Sequence, residues 1–303
     1  MNIIHLINTF HPREGSDLVR ALPVTIASML RARQEAEAAG ISVELRAAAF
    51  EHELDTVPDG FVATDPLMRD CRSVPELESF PPLPFHRDLL ERLTASTDGE
   101  DLLVYTNSDI GVQPHFYQHI KEVASHGHDA FTINRRTIAN HYTGPDDLEA
   151  MYTDKGEPHP GADCFVLRRH VTDAFALCDV IVGVSMFDKM LLWNMAAYSK
   201  HFRMFPDRLL TFHIGNDMAW KSPTTRPLRS HNRRELSQML ATIDESIGGI
   251  AKGQMLWSML GTPVRSDHAT NMFELLDFKP RRLTTMARIK RELKRVFGTG
   301  ASN

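Results

Sequence analysis

Cysteine is scarce in this chain of 303 residues, in which only Cys71, Cys164 and Cys178 occur. They are odd in number, lie far apart and form no CxxC pair. This spacing argues against a disulfide framework and against a zinc site built from thiolates. We therefore expect a reducing environment, and the cytoplasm is the simplest one.

The chain also lacks long apolar runs and an overall excess of positive charge. No run approaches the length of a transmembrane helix. The opening residues MNIIHLINTFHP have neither the basic start nor the long apolar core of a signal peptide, so we expect mature protein. A net charge of −5 gives no global basic field for nucleic acid, and an apolar content of 42% is ordinary for a globular protein.

The charge is distributed unevenly along the chain. Residues 279–295 carry eight Lys or Arg and one acid, Glu292, so their net charge is +7. Because the whole chain has a net charge of −5, the rest of it carries −12. Apolar residues in this tail recur at helical spacing, namely Leu283, Met286, Ile289, Leu293, Val296 and Phe297. The pattern predicts a basic amphipathic helix. It would either lie on an anionic membrane surface at the inner face of the membrane or dock on its own domain with a solvated charged face.

Short apolar runs alternate with amphipathic segments over most of the chain. Strands are predicted at 3–10, 41–50, 101–110, 129–138 and 163–169, with a last one within 202–215. Helices are predicted at 16–39, 84–96, 114–127, 184–199, 230–262 and 280–297. Residues 51–84, which are rich in proline, and 139–160 read as loops.

This alternation predicts an α/β fold with a mostly parallel central sheet and flanking helices. The predicted divisions are an α/β domain at 1–225, a C-terminal helical extension at 226–278 and the basic tail at 279–303. Ligands of open α/β sheets bind beyond the carboxyl ends of strands. Three predicted strands end in polar residues there, which are Thr9, Asn107, Asp109, His213 and Asp217.

A carboxylate and an imidazole brought together at such an edge suit a divalent cation. Mn²⁺ accepts mixed oxygen and nitrogen ligands, whereas Mg²⁺ prefers oxygen. The cation would leave positions open for a diphosphate and would neutralise charge on a nucleoside-diphosphate leaving group. Asn107, two residues before Asp109, offers an amide for a ribose hydroxyl.

Four segments in this order resemble the GT-A fold glycosyltransferases of the nucleotide-diphospho-sugar transferase superfamily, over roughly residues 1–220. VYTNSDI resembles their DxD segment, with Asn107 in the first acidic place. HPGADCFVLRR resembles their Gly-x-Asp-x-Phe segment, and VGVSMFDKMLLWNM resembles the segment where an acceptor-side acid opens a helix. TFHIGNDMAW resembles the late segment whose His completes the metal site.

The resemblance implies a role for each matching residue. Asp109 and His213 would be the metal ligands for Mn²⁺ or Mg²⁺. Asp188 would be the catalytic carboxylate, taking the acceptor hydroxyl's proton in an inverting transfer or stabilising the oxocarbenium-like centre in a retaining one. The donor or substrate would be bound by Thr9, Arg87, Asn107, Ser108 and Asp163.

Four of these residues also have an ordinary structural explanation. An Asx turn would account for Asp109, core packing for His213, and a favourable carboxylate at a helix start for Asp188. Arg87 also suits a solvated helix face.

The function that the segments indicate is sugar transfer from a nucleoside-diphosphate donor to a hydroxyl acceptor, which suits a lipid-linked acceptor if the tail contacts membrane. One alternative is a sugar-nucleotide nucleotidyltransferase, although TFHPREG lacks its Gly-rich phosphate loop. The other is a non-catalytic binding protein on a degenerate GT-A scaffold, which Asn107 keeps open.

Overall fold

The computed structural model describes residues 1–205, 208–215 and 223–246. Its strands are β1 (Ile3–Asn8), β2 (Val43–Ala48), β3 (Val62–Ala63), β4 (Leu102–Thr106), β5 (Gly111–Val112), β6 (Ala130–Ile138), β7 (Glu157–Arg168), β8 (Phe202–Phe205) and β9 (Thr211–Ile214). Its helices are α1 (Leu18–Ala38), α2 (His86–Thr94), α3 (Phe116–Ser125), α4 (Leu148–Thr153), α5 (Lys189–Tyr198) and α6 (Arg226–Ser246).

The predicted α/β fold class is confirmed. One central sheet runs in the order β3-β2-β1-β4-β7-β6-β9-β5, and β8 pairs with β6 beside β9. Pairs along β3, β2, β1 and β4 are parallel, as are those of β6 with β8 and β9. Two strands run the other way, since β7 is antiparallel to both β4 and β6, and β5 is antiparallel to β9. The carboxyl ends of β1, β4, β6 and β9 therefore lie at one edge of the sheet.

The two faces of the sheet pack against different helices because side chains alternate along each strand. In β1, Ile4 and Leu6 enter a core with α2, α5 and α6, whereas Ile3 and Ile7 enter a core with α1 and α3. This second core also receives Leu102 and Val104 of β4, while Leu103 and Tyr105 point to the first. The sheet is thus covered on both faces, as near-continuous apolar strands require.

Several predicted segments differ in detail from the structure. Residues 51–84 are not structureless, because they contain short 3₁₀ helices at Glu51–Thr56, Cys71–Ser73 and Pro75–Leu77 and the edge strand β3. The predicted loop 139–160 contains α4 and the start of β7, and the region 202–215 holds two strands. The helix predicted from residue 184 begins at Lys189, since a turn with Met186 at a φ of 75° precedes it. Sequence periodicity misses these features because each element is only a few residues long.

Part of the predicted extension and all of the predicted tail lie outside the described residues. Helix α6 covers 226–246, while 247–278, the basic tail 279–303 and Asp217 are not among the residues described. The predicted division at 225/226 stays a prediction. Within the described ranges, no helix is long and apolar enough to span a membrane.

Candidate functional site

Asp109 and His213 lie in contact at the carboxyl edge of the sheet, with Asp109 Oδ2 at 3.1 Å from His213 Nε2. Their parent strands are not neighbours, because β7 and β6 lie between β4 and β9. The link is β5, which follows Asp109 directly and pairs antiparallel with β9, Gly111 opposite Phe212. After β4 the chain turns at Asp109 and continues into β5, whose pairing with β9 brings Asp109 close to His213.

The second ring nitrogen of His213 fixes the orientation of the imidazole. Its Nδ1 donates to the carbonyl oxygen of Gly215 at 2.8 Å, so Nε2 is the nitrogen directed at Asp109. Burial acts to lower the pKa of His213, but the hydrogen bond to Asp109 and its negative charge outweigh it and raise the pKa. For Asp109, burial acts to raise the pKa, while the His213 hydrogen bond and the charges of His213 and Arg135 bring it below its usual range. A proton on Nε2 thus joins the two side chains.

A second carboxylate, Asp163, enters the site through an irregularity in the β6–β7 ladder. Ile133 pairs with Cys164 and Asn134 with Ala162, so Asp163 is an extra residue with no partner across the ladder. Such a bulge re-aims a side chain that a regular strand would direct elsewhere. Asp163 is nearly buried, and its Oδ1 lies 3.4 Å from Asn107 Nδ2, which donates to it.

Arg135 comes from the second part of the same irregularity. The register shifts again between Asn134 and Arg136, leaving Arg135 unpaired in the ladder. Its Nη1 lies 3.2 Å from Asp163 Oδ1, with both side chains about one-tenth exposed. Burial raises the pKa of Asp163 to about 6; the negative charges of Asp109 and Asp188 add to that rise, and Arg135 and His213 oppose it.

Several polar atoms at this edge are buried without a hydrogen-bond partner among the described residues. They are Asn107 Oδ1, Asp109 Oδ1, Asp163 Oδ2, Asn134 Oδ1 and Arg135 Nε. Buried polar groups in folded proteins almost always have partners, and an unmet one costs about 1–3 kcal/mol. A concentration of both donors and acceptors in one place is typical of a site that a polar ligand completes.

Thr9 and Ser108 lie at the ends of the neighbouring strands β1 and β4. The Ser108 hydroxyl donates to the carbonyl oxygen of Asn8, which ties these two strand ends together. Thr9 is fully buried; its amide donates to Ala48 O at 2.9 Å, and its hydroxyl has no partner within the described part of the chain. Ser108 therefore supports the turn, whereas the Thr9 hydroxyl stays available.

Asp188 opens helix α5, as predicted, at the N-cap position. Its Oδ2 pairs with Lys189 Nζ at 2.7 Å, and its side chain is 17% exposed. Its negative charge helps raise the pKa of Asp163, so the two carboxylates act on one another electrostatically. Trp193 and Met190 on the same helix are core residues.

Arg87 has its contacts in another part of the molecule. Its Nη2 donates to Leu177 O at 2.6 Å, and its Nε lies 3.3 Å from Asp179 Oδ1. These contacts hold the start of α2 to the chain before α5. The structure thus brings together Asp109, His213, Asn107 and Asp163, and the charge of Asp188 acts on Asp163. Arg87 is engaged elsewhere.

The donor set fits a divalent cation held jointly by protein and ligand. A metal-bound histidine commonly donates its other ring N–H to a backbone carbonyl, as His213 does to Gly215. Asp109 keeps one oxygen without a partner. Over residues 1–205, 208–215 and 223–246, however, no group of three or more His, Cys, Asp or Glu side chains could hold a metal alone. The pair could supply two ligands, and a cation here would need the rest from a bound ligand or water.

Sequence reasoning missed Arg135, Asn134 and His159. His159 Nδ1 lies 3.6 Å from Asp163 Oδ2, and Asn134 Nδ2 donates to His159 O at 3.3 Å. The strand predicted at 129–138 contains Asn-Arg-Arg near its carboxyl end, so the rule that found Asp109 also applies to Arg135. The register shifts that re-aim Arg135 leave no mark in the hydrophobic pattern.

Comparisons with known proteins give distant structural likenesses only. No model of a known protein family matches the chain, and no curated protein matches it either. The solved structures that it is similar to include S. aureus TarS 1–349 in complex with UDP-GlcNAc, with 12% identity over all of this chain and 93% of that one, at a TM-score of 0.39.

Two further likenesses are of the same order. One is to a protein from Desulfovibrio desulfuricans G20 assigned to the nucleotide-diphospho-sugar transferases, with 15% identity over 82% of this chain and 97% of that one, at a TM-score of 0.34. The other is to 4-diphosphocytidyl-2C-methyl-D-erythritol synthase from Anaerococcus prevotii, with 12% identity over 77% of this chain and 97% of that one, at a TM-score of 0.33. All three scores are below 0.5, so the assignment of function depends on the site itself.

Proposed function

We propose that this chain is a GT-A type glycosyltransferase, which moves a sugar from a nucleoside-diphosphate donor to a hydroxyl group of a glycan, glycolipid or small molecule. The observation that carries the proposal is the Asp109–His213 pair, 3.1 Å apart at the carboxyl edge of the sheet and surrounded by buried polar atoms without partners. An ordinary Asx turn needs neither a buried imidazole aimed at its carboxylate nor orphaned groups around it.

Asp109 and His213 would hold Mn²⁺ or Mg²⁺ together with the donor's diphosphate. The ion would supply positive charge to the departing nucleoside diphosphate. Mn²⁺ is the better match, because the pair offers one oxygen and one nitrogen ligand. The proton that joins the two side chains would leave as the cation binds.

The remaining residues have roles that follow from their positions. Asn107 Oδ1 and the Thr9 hydroxyl, both buried and unpartnered, suit ribose or nucleotide hydroxyls. Asp163 suits a hydrogen bond from a sugar hydroxyl, because its Oδ2 has no hydrogen-bond partner. Asp188, at the start of α5, would accept the proton of the attacking acceptor hydroxyl.

A thermal-shift panel tests the nucleotide and metal together. UDP, GDP, CDP and ADP are added to the wild type with and without Mn²⁺, and the same panel is run on Asp109→Asn. A ligand at about a hundred times its Kd stabilises by about 2.7 kcal/mol. We expect at least one diphosphate to stabilise the wild type in a Mn²⁺-dependent way and Asp109→Asn to lose that dependence.

Asp173→Asn is the matched control, because Asp173 also pairs with a basic side chain but follows β7 at the opposite edge of the sheet. It should respond like the wild type. The proposal fails if no diphosphate stabilises the wild type, or if Asp109→Asn responds equally well. Release of free nucleoside diphosphate from the matching nucleotide sugar then separates an enzyme from a binding protein, and pyrophosphate formation from a nucleoside triphosphate would indicate the nucleotidyltransferase.

A further inference from the structure

Arg135 is an unusual residue of the site, because its charged side chain is largely buried and has few hydrogen-bond partners among the described residues. Its side chain is 11% exposed. A guanidinium carries five N–H donors and cannot lose its charge in a protein. Among the described residues its one partner is Asp163, at 3.2 Å, and its Nε is buried without an acceptor.

The β6–β7 pairing is irregular around Arg135. Register shifts flank it on both sides, and the partner strand β7 advances four residues, from Ala162 to Pro158, while β6 advances two, from Asn134 to Arg136. Bulges of this kind occur preferentially beside active sites. A structural role alone, as an ion pair for Asp163, would not require Nε to be buried with no acceptor among the described residues.

The surroundings of Arg135 indicate what would complete it. Its partner Asp163 Oδ1 also lies 3.4 Å from Nδ2 of Asn107, two residues before Asp109, so Arg135 lies near the proposed diphosphate position. A planar guanidinium fork matches two phosphate oxygens at once, which an ammonium group cannot do. Arg87, the arginine that the sequence suggests for the diphosphate, is already engaged by Leu177 O and Asp179.

We propose that Arg135 is the residue that binds the phosphate oxygens of the nucleoside diphosphate directly, beside the metal pair. In the ligand-free protein Asp163 holds one end of the guanidinium and so fixes its direction. The diphosphate would then accept hydrogen bonds from Nε, which has no partner among the described residues, and from the neighbouring Nη2 of the same fork. This inference rests on the proposed function, since it names a further contact within the same site.

Isothermal titration calorimetry in Mn²⁺ tests it, with whichever of UDP, GDP, CDP and ADP stabilises the wild type most. Arg135→Gln should raise the Kd about ten- to hundredfold, because a hydrogen bond to a charged group is lost. Arg135→Lys keeps the positive charge but lacks the planar fork, so its Kd should lie between those of the wild type and Arg135→Gln. Arg169→Gln is the matched control: Arg169 also pairs with an aspartate, Asp173, but follows β7 at the opposite edge, so its Kd should equal that of the wild type.

Arg135→Gln also leaves Asp163 without its counter-ion, and an unpaired carboxylate would itself repel a diphosphate. The double variant Arg135→Gln/Asp163→Asn removes that repulsion. Direct binding by Arg135 predicts that the double variant stays weak. Recovery of wild-type Kd in the double variant, or an unchanged Kd in Arg135→Gln, overturns the inference while leaving the proposed function in place. If no nucleoside diphosphate binds the wild type, the proposed function fails, and this inference fails with it.

Discussion

At the scale of single residues, Asp163 should reverse the usual pH dependence of an aspartate. Its pKa in the folded protein is about 6, against 3.8 for the free side chain, because burial and the charges of Asp109 and Asp188 outweigh Arg135 and His213. The folded state therefore binds a proton that the unfolded state has released. The stability that this group contributes is fully present below pH 3.8 and is lost as the pH rises through about 6.

Asp163→Asn removes this titration, which gives the first prediction. The stability of the variant relative to the wild type should increase by about 3 kcal/mol between about pH 4 and about pH 7, since one pKa unit corresponds to about 1.4 kcal/mol. Urea unfolding of both proteins across that range measures it. The cost of leaving Arg135 unpaired is the same at each pH and cancels in the comparison. A difference that stays constant with pH would contradict the prediction.

The residue scale also shows what sequence can and cannot supply. Asp109 follows the end of β4 and His213 lies near the end of β9. The rule that ligands bind beyond the carboxyl ends of strands predicts that such residues meet at one edge. Arg135 is also a polar residue near the carboxyl end of a predicted strand. An ordinary strand that simply becomes polar toward its end would show the same pattern, so the sequence does not single Arg135 out. Arg87 had a favourable position on its helix, yet its partners Leu177 and Asp179 are about ninety residues away along the chain, so no local pattern reveals them.

At the scale of secondary-structure elements, the two-residue strand β5 decides whether the site assembles. Gly111 lies against the Phe212 ring, and a Cβ at this position would collide with that ring, which is itself buried. Gly111→Ala should therefore push β5 away from β9 and separate Asp109 from His213. Overpacking of this kind costs about 1–3 kcal/mol.

The second prediction is that Gly111→Ala loses Mn²⁺-dependent stabilisation by nucleoside diphosphate as well as thermal stability. The same thermal-shift panel measures both. Gly99→Ala is the control, because a Cβ there meets only His170 Cβ at an ordinary 3.9 Å. Wild-type behaviour of Gly111→Ala would show that β5 does not position the pair.

Arg46 of β2 supports the end of helix α2, which gives a third prediction. It is buried, and its Nη1 donates to the carbonyl oxygens of Arg92, Leu93 and Ala95 at 3.2, 3.2 and 2.6 Å. These carbonyls lack partners within their own helix. Arg46→Met keeps much of the side-chain volume but removes the donors, and we expect a loss of about 2–3 kcal/mol in unfolding free energy. Arg46→Lys should lose less, and urea unfolding of the two variants decides.

Element prediction succeeds where the hydrophobic period extends over many residues. The β1–α1–β2 unit and the strands β4 and β6 are all where their patterns place them. The short elements β3, β5 and α4 and the register shifts between β6 and β7 are not visible, because they depend on pairing with distant segments. The antiparallel direction of β7 belongs to the same class, since strand direction depends on how the connecting chain returns to the sheet.

At the scale of the whole molecule, Arg69 fastens the long connection between β2 and α2 to the rest of the fold. Its guanidinium donates to Asp88 of α2 at 2.7 Å and to Asp179 at 2.7 Å. The backbone N–H of Asp179 in turn donates to Glu235 of α6 at 2.9 Å, so one hydrogen-bonded network joins four parts of the chain.

The fourth prediction concerns removal of this network. Arg69→Met leaves Asp88, which is 6% exposed, without a counter-ion. Breaking a fully buried pair costs about 3–5 kcal/mol, and we expect about 2 kcal/mol here because Arg69 itself is 38% exposed. Limited proteolysis should cut residues 57–84 faster in the variant. Arg69→Met/Asp88→Asn should recover part of the loss, and additive effects of the two substitutions would contradict a direct pair.

The fifth prediction comes from the division of charge along the chain, with +7 at residues 279–295 and −12 elsewhere. If the basic tail contacts a membrane surface, full-length protein should sediment with phosphatidylglycerol vesicles and protein ending at residue 278 should not. Each basic residue near an anionic surface contributes about 1 kcal/mol, and the attraction weakens with salt, so binding should fall steeply as salt is added. Leu293→Glu interrupts the apolar face while keeping every basic residue, and it should bind more weakly than the wild type if both faces act together. Equal sedimentation of the full-length and shortened proteins would instead favour a tail that docks on its own domain.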